Sequence, residues 1–340
     1  MRFVKPFRIL ILVLFLLPVA SQFASAQTVQ NNQSPASLAP AAIKKQTYIY
    51  KSVAEVPIQA DAYWIPRSNK QPVILWLHAG ALIFGSREQV PAEQVEKYVR
   101  AGFVVVAVDH RLGPEVKLPS VIEDVKDAYR WIREKGPELW GSDANTVVVV
   151  GHSAGGYLSL LSGVTFQPRP QAIVSFYGYG DIASDWYNRP DPYYNTQQKV
   201  EKAEADRLRS ASVLTHADFG QRFPLYKYFR QQGTWTKEIV AIDPHSQREL
   251  LTPFCPALTA GPDFPPTFLV HGDNDTDVPF QQSLEMAERL KAQKVKHQLS
   301  ILPGRGHVFD ASGKGMADPA IEKTFDDVIA FLRSTIQEQK

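Results

Sequence analysis

The stretch Thr146–Gly163, TVVVVGHSAGGYLSLLSG, decides how this chain is read. A block of β-branched valines runs through Gly151-His152-Ser153-Ala154-Gly155-Gly156 into a segment rich in Leu and small residues. Strand, turn and helix follow one another with almost no loop. That is the layout of a nucleophile elbow, G-x-S-x-G, in which the turn thrusts the serine hydroxyl clear of the backbone. Gly151 and Gly155 flank Ser153 at positions where a side chain collides with the crossing strand or helix. The pentapeptide alone is weak; the valine run before it and the helical run after it give it weight.

Working outward, the same alternation recurs. Gln46–Lys51 and Ile58–Ile65 alternate like an edge hairpin, whereas Pro72–Leu77 and Phe103–Val108 are continuous apolar runs, as strands covered on both faces require. Helical stretches are expected at Gln89–Arg100 and Ser120–Glu134, the latter with one apolar face from Val121 to Ile132. Further strands are expected at Ala172–Phe176, Thr267–Val270 and Gln298–Leu302, and helices at Pro279–Ala292 and Ile321–Ile336. Buried strands alternating with helices predict an α/β fold, a mostly parallel doubly wound sheet over residues 44–340.

Between about residues 177 and 266 the rhythm breaks. The segment is too long for a loop, carries helical patterns near Val200–Ser212 and Ala217–Gln232, and holds ten aromatic residues between Trp186 and Trp235. It is expected to be a helical cap inserted over the active-site face, most of its rings packing on one another and a minority reaching the pocket.

The chain opens with Arg2, Lys5 and Arg8, an apolar run Ile9–Ala20 and the small-residue site Ala24-Ser25-Ala26. This is the pattern of a secretory signal peptide cut after Ala26, so the protein is expected to be exported, secreted or periplasmic. Residues 27–43 are polar and aperiodic, an expected flexible lead-in. Removing three basic residues takes the net charge from +2 to about −1, which argues against nucleic acid or anionic membrane as a partner. No later run is long enough to span a bilayer. Cys255 is the only cysteine, so no internal disulfide forms, and its neighbours Phe254 and Pro256 suggest packing.

A serine hydroxyl needs a base and a group that orients the base. His307, in PGRGHVF, follows the last expected strand, and Asp273, Asp275 and Asp277 follow a buried one. The edge where strands end is where catalytic groups collect in open α/β sheets. The order is Ser, Asp, His.

HSAGG after a valine strand, HGDNDTDVP and GRGHVF together resemble the α/β-hydrolase superfamily. Leu77–Ser86 (LHAGALIFGS) and Val108–Glu115 (VDHRLGPE) are similar to the oxyanion segment and the D-Y-R-L-A-P-E block of hormone-sensitive-lipase-like serine esterases. The resemblance implies Ser153 as nucleophile, His307 as base and, through the H-G-x-x-D-x-x-V-P register, Asp275 as acid, with Asp273 and Asp277 as fallbacks. It implies an oxyanion hole from the amides of Gly80, Ala81 and Ala154. Ala79 and Ala81 depart from the usual glycines, which narrows the pocket, and His110 replaces the usual tyrosine. Asp109 and Arg111 read as structural. The implied activity is carboxylic-ester hydrolysis through an acyl-enzyme on a small-molecule or polysaccharide-linked ester, with no cofactor and no metal. A prolyl-oligopeptidase-like peptidase and a non-catalytic binding protein on the same scaffold are the alternatives.

Overall fold

Runs of valine build the centre of this molecule because a strand covered on both faces must be apolar at every position. The computed structural model describes residues 41–339; the expected signal peptide, its cut after Ala26 and residues 27–40 lie outside them. Eight strands form one sheet: β1 (Lys44–Val53), β2 (Val56–Trp64), β3 (Gln71–Leu77), β4 (Val104–Val108), β5 (Ser142–His152), β6 (Ile173–Phe176), β7 (Thr267–Gly272) and β8 (His297–Leu302). Their spatial order is β1-β2-β4-β3-β5-β6-β7-β8. β1, β2 and β4 pair antiparallel, and every pair from β4 through β3 to β8 is parallel.

Successive strand residues point to opposite faces, and the two cores follow that rule. Val73, Leu75, Val104, Val106, Val147 and Val149 enter one core, with α2 (Leu118–Trp140) and α3 (Ala154–Thr165) packed on it. Ile74, Val105, Ala107, Val148 and Val150 enter the other, beneath α1 (Ala92–Arg100) and the C-terminal helix Pro319–Glu338. Each fully buried Val or Leu is worth about 1.5–3 kcal/mol. Among the described residues no helix is long and apolar enough to cross a membrane.

The helices differ from expectation where local chemistry overrides periodicity. α1 starts at Ala92, three residues late, because Pro91 takes the cap position after a tight turn at Arg87–Gln89. α2 runs six residues past Glu134, through Pro137, and stops at Gly141 in the left-handed region. Its last turn is held by β1, where Trp140 packs edge-on to Tyr48 at 5.7 Å and donates its Nε1–H to the Tyr48 hydroxyl at 3.2 Å.

Between β6 and β7 the chain makes six short helices: α4 (Asp185–Asn188), α5 (Pro192–Asn195), α6 (Lys202–Arg207), α7 (Phe219–Gln232), α8 (Trp235–Val240) and α9 (Pro256–Thr259). The helix expected at Val200–Ser212 is only α6. The chain after it leaves the helix to bond elsewhere: Ser210 N–H to Glu115 Oε1 at 2.7 Å, and the Leu214 carbonyl to Leu112 N–H at 2.8 Å. α10 (Gln281–Ala292) and α11, the C-terminal helix Pro319–Glu338, complete the fold.

Candidate active site

Every expected site residue lies at the carboxyl end of a parallel strand, where such sheets collect ligands. At the end of β5, Ser153 has φ 54° and ψ −117°, a conformation that costs roughly 1–3 kcal/mol in a residue other than glycine. The flanking glycines make this turn possible. A Cβ on Gly151 would lie 2.0 Å from the Gly155 carbonyl oxygen, and one on Gly155 would lie 2.1 Å from that of Leu77.

The loops after β7 and β8 bring the other two groups to this serine. His307 Nε2 lies 2.9 Å from Ser153 Oγ, and His307 Nδ1 lies 2.7 Å from Asp275 Oδ2. A carboxylate only accepts, so Nδ1 carries the proton and Nε2 is left to accept from the serine hydroxyl. Asp275 is itself fixed: its Oδ1 accepts from the backbone N–H of Asp277 at 2.8 Å and of Val278 at 2.9 Å. Burial works against its charge, but the hydrogen bonds of His271 and His307 outweigh it and hold the carboxyl well below the usual range. Burial likewise pushes His307 down, yet Asp275 beside it leaves the imidazole above its ordinary value.

The two fallback acids do different things. Asp273 accepts the Gly304 N–H at 2.6 Å and so braces the loop after β8. Asp277 stands on the opposite nitrogen of the imidazole, with Oδ2 3.5 Å from His307 Nε2.

The amides of Gly80, Ala81 and Ala154 donate to no protein group among the described residues, and all three residues border the mouth of Ser153: Gly80 and Ala81 line the cavity with it, and Ala154 opens α3. Gly80 sits at φ 121°, and a Cβ there would lie 1.9 Å from the Phe84 carbonyl oxygen. Ala81 follows at φ 53° despite its methyl group. The buried Trp235 Nε1–H, from α8, donates to the Ala81 carbonyl at 3.0 Å.

The cavity over Ser153 holds about 360 Å³. Ala79 and Ala81 put their methyl groups on its wall, together with Phe84 from the same loop and Phe219, Phe223 and Tyr226 from α7. Tyr177, at the start of the insertion, also lines it, while none of the other rings between Trp186 and Trp235 does; Tyr187, for example, stacks on Trp235 at 4.2 Å.

The D-H-R-L-G-P-E block is structural throughout. Arg87 bonds Asp109 through its backbone N–H at 2.7 Å and Nη1 at 2.6 Å, and Arg111 grips Asp124 through Nε and Nη2. Glu115 pairs with Arg222 of α7 at 2.8 Å, both side chains buried, tying the insertion to the loop between β4 and α2. His110 stacks on His78 at 4.4 Å, and burial lowers both imidazoles, to about 3 and about 4. Cys255 is buried, with Sγ 3.2 Å from Asp181 Oδ1; burial and that carboxylate push its thiol up to about 12, so it stays protonated. Among the described residues no group of three or more His, Cys, Asp or Glu could hold a metal ion.

One supporting cluster escaped sequence reading. Asp310, three residues past His307 and buried, accepts from the Tyr177 hydroxyl at 2.6 Å and from Gln94 Nε2 at 2.6 Å. His152 Nε2 lies 3.1 Å away, without hydrogen-bond alignment. Tyr177 in turn sets its ring edge-on to His307 at 4.8 Å. The only sequence signal was a carboxylate in an apolar loop, VFDA.

A mostly parallel eight-stranded sheet, with serine, histidine and aspartate meeting at its carboxyl edge, defines a member of the α/β-hydrolase superfamily. More narrowly, the chain belongs to the BD-FAE family, whose profile matches residues 61–290. The dienelactone hydrolase family profile matches residues 263–336. Among solved structures, an α/β-hydrolase superfamily protein of Enterococcus faecalis superposes with a TM-score of 0.67 at 22% identity, covering 86% of this chain and 99% of that one. The Est2 esterase of Thermogutta terrifontis, propionate-bound, gives 0.62 at 21% identity over 85% and 94%. A non-reducing polyketide synthase of Emericella nidulans is 27% identical over 86% of this chain. The chain spans only 14% of that synthase's length.

Proposed function

We propose that the protein is a serine esterase that cleaves carboxylic esters through an acyl-enzyme. The observation that carries this reading is the continuous chain Ser153 Oγ–His307–Asp275, at 2.9 and 2.7 Å. Ser153 Oγ attacks the ester carbonyl while His307 Nε2 takes its proton, and Asp275 holds the tautomer and stabilises the imidazolium. The unpartnered amides of Gly80, Ala81 and Ala154 receive the oxyanion, each such donor typically worth about 3 kcal/mol. His307 then protonates the leaving alcohol, and a water, deprotonated in turn by His307, releases the acid.

The BD-FAE match and the likeness to a named esterase support this reading. In a further structure the Thermogutta esterase 2 is phosphorylated by paraoxon, which makes an organophosphorus reagent the natural probe here. A fluorophosphonate should label the folded protein and fail on Ser153→Ala. If the wild type stays unlabelled while folded, a binding protein on the same scaffold is the better account. Comparing a short aryl ester with a peptide anilide separates esterase from peptidase, and faster anilide cleavage would overturn the proposal.

A further inference from the structure

Asp277 is the one acid of the HGDNDTDVP loop that neither orients His307 nor braces the backbone of the β8 loop. Its environment is nevertheless elaborate. Oδ1 accepts three hydrogen bonds: from the Tyr226 hydroxyl at 2.6 Å, the Tyr194 hydroxyl at 2.9 Å and Arg230 Nη1 at 2.9 Å. Arg230, 1% exposed, is neutralised on its other side by Asp191 and lies against the rings of Trp186, Tyr187, Tyr194 and Tyr226. The carboxylate plane is therefore locked by buried groups.

Oδ2 is treated differently. It accepts no hydrogen bond among the described residues, its residue lines the cavity, and it faces His307 Nε2 at 3.5 Å. In the resting tautomer Nε2 carries no proton and accepts from the Ser153 hydroxyl, so it has none to offer Oδ2, which is left without a donor among the described residues. A ligand donor satisfies that arrangement.

The place of this oxygen says which part of the ligand it meets. If the esterase reading holds, on which this inference rests, the leaving alkoxy oxygen must come within hydrogen-bond distance of Nε2 to be protonated. An acceptor 3.5 Å from Nε2 then lies beside the alcohol half of the ester, next to the carbon adjoining the ester-bearing one. We infer that Asp277 Oδ2 accepts a hydrogen bond from a hydroxyl on that carbon, so that the preferred substrates are monoesters of 1,2-diols and polyols. Asp277 is a specificity residue of the alcohol site, held in position by α7.

The test compares three esters of one acid: 2-hydroxyethyl butyrate, the isosteric propyl butyrate and 2-methoxyethyl butyrate, which keeps the polarity but has no donor. Each kcat/KM is divided by the ester's rate of hydroxide hydrolysis to remove intrinsic reactivity. The wild type should favour the hydroxyethyl ester over both others by about tenfold, the effect of one hydrogen bond to a charged group. In Asp277→Asn the amide oxygen can still take the Tyr194, Tyr226 and Arg230 bonds, while the acceptor facing the cavity becomes a donor; the preference should collapse to within about twofold. No preference in the wild type, or the same preference in both proteins, overturns the assignment while leaving the esterase reading intact. Absence of turnover on all three esters together with no fluorophosphonate labelling removes the esterase reading, and this inference with it.

Discussion

The indole N–H of Trp235 donates to the carbonyl oxygen of Ala81, joining the insertion between β6 and β7 to the loop whose residues Gly80 and Ala81 line the cavity with Ser153. Without that bond, the Ala81 peptide has nothing from the insertion to fix its tilt, and the tilt sets where its neighbouring amides point. Trp235→Phe keeps the ring packing and deletes the donor. It should cost about 1 kcal/mol in denaturant stability and lower kcat several-fold with little change in KM. A variant that loses stability but keeps full kcat would show that the contact only packs.

Ala81 itself occupies a backbone region that favours glycine, at φ 53°. Ala81→Gly should therefore relieve about 1 kcal/mol of strain, partly offset by the freer unfolded chain. The same change removes a methyl group from the cavity wall. Higher kcat/KM for branched acyl or alcohol groups, relative to linear ones, is the expected outcome in a substrate series.

In the proposed mechanism His307 must be neutral to take the serine proton, and Asp275 holds its folded pKa above the ordinary 6.5 against the opposing effect of burial. Activity should therefore fall as pH drops through a midpoint above 6.5, read from the acid limb of kcat/KM. Asp275→Asn removes the charge and the fixed tautomer; it should lower kcat by about 10⁴ and move the residual limb to lower pH. A wild-type midpoint below 6.5 would contradict the assigned pairing.

The stacked pair His78 and His110 gives a separate, structural pH dependence. Both are neutral when folded, with values near 4 and 3, and both take up protons near 6.5 when unfolded. A depressed folded value means stability that is present above pH 6.5 and is lost as pH falls toward the folded values. At pH 5 each imidazole should cost about 2 kcal/mol relative to pH 7. Urea unfolding at the two pH values measures this, and His110→Tyr should reduce the loss; an unchanged pH slope would rule the explanation out.

How much of this could be read from the chain follows from what each part depends on. All eight strands were legible: burial on both faces writes continuous apolar runs in the central ones and the edge hairpin writes alternation, while the half-buried edge strand β8 gave only the short stretch Gln298–Leu302. That Ser153, His307 and the acids Asp273, Asp275 and Asp277 gather at one sheet edge was legible because each follows a strand end; the choice of Asp275 among the three came only from the register of the family motif it resembles. The partners of Asp277 were not legible: Tyr194, Tyr226 and Arg230 lie 83, 51 and 47 positions away, and a helical pattern does not say which distant carboxylate its side chains will meet. The same holds for Asp310, whose partners Gln94 and Tyr177 come from two other elements. Helix α6 was overestimated because propensity cannot anticipate the bonds that residues 210–214 make to Leu112 and Glu115.

Helix α7 carries two buried arginines, Arg222 bonded to Glu115 and Arg230 bonded to Asp277, on the same helix as the cavity rings Phe219, Phe223 and Tyr226. Swinging it away would strand both guanidinium groups and their carboxylates, and breaking one such buried pair typically costs about 3–5 kcal/mol. The roof of the pocket is thus bolted down at two points and has no inexpensive open state. Turnover should need no oil–water boundary to switch it on: with short-chain esters, the rate should rise smoothly through the concentration at which the substrate forms micelles.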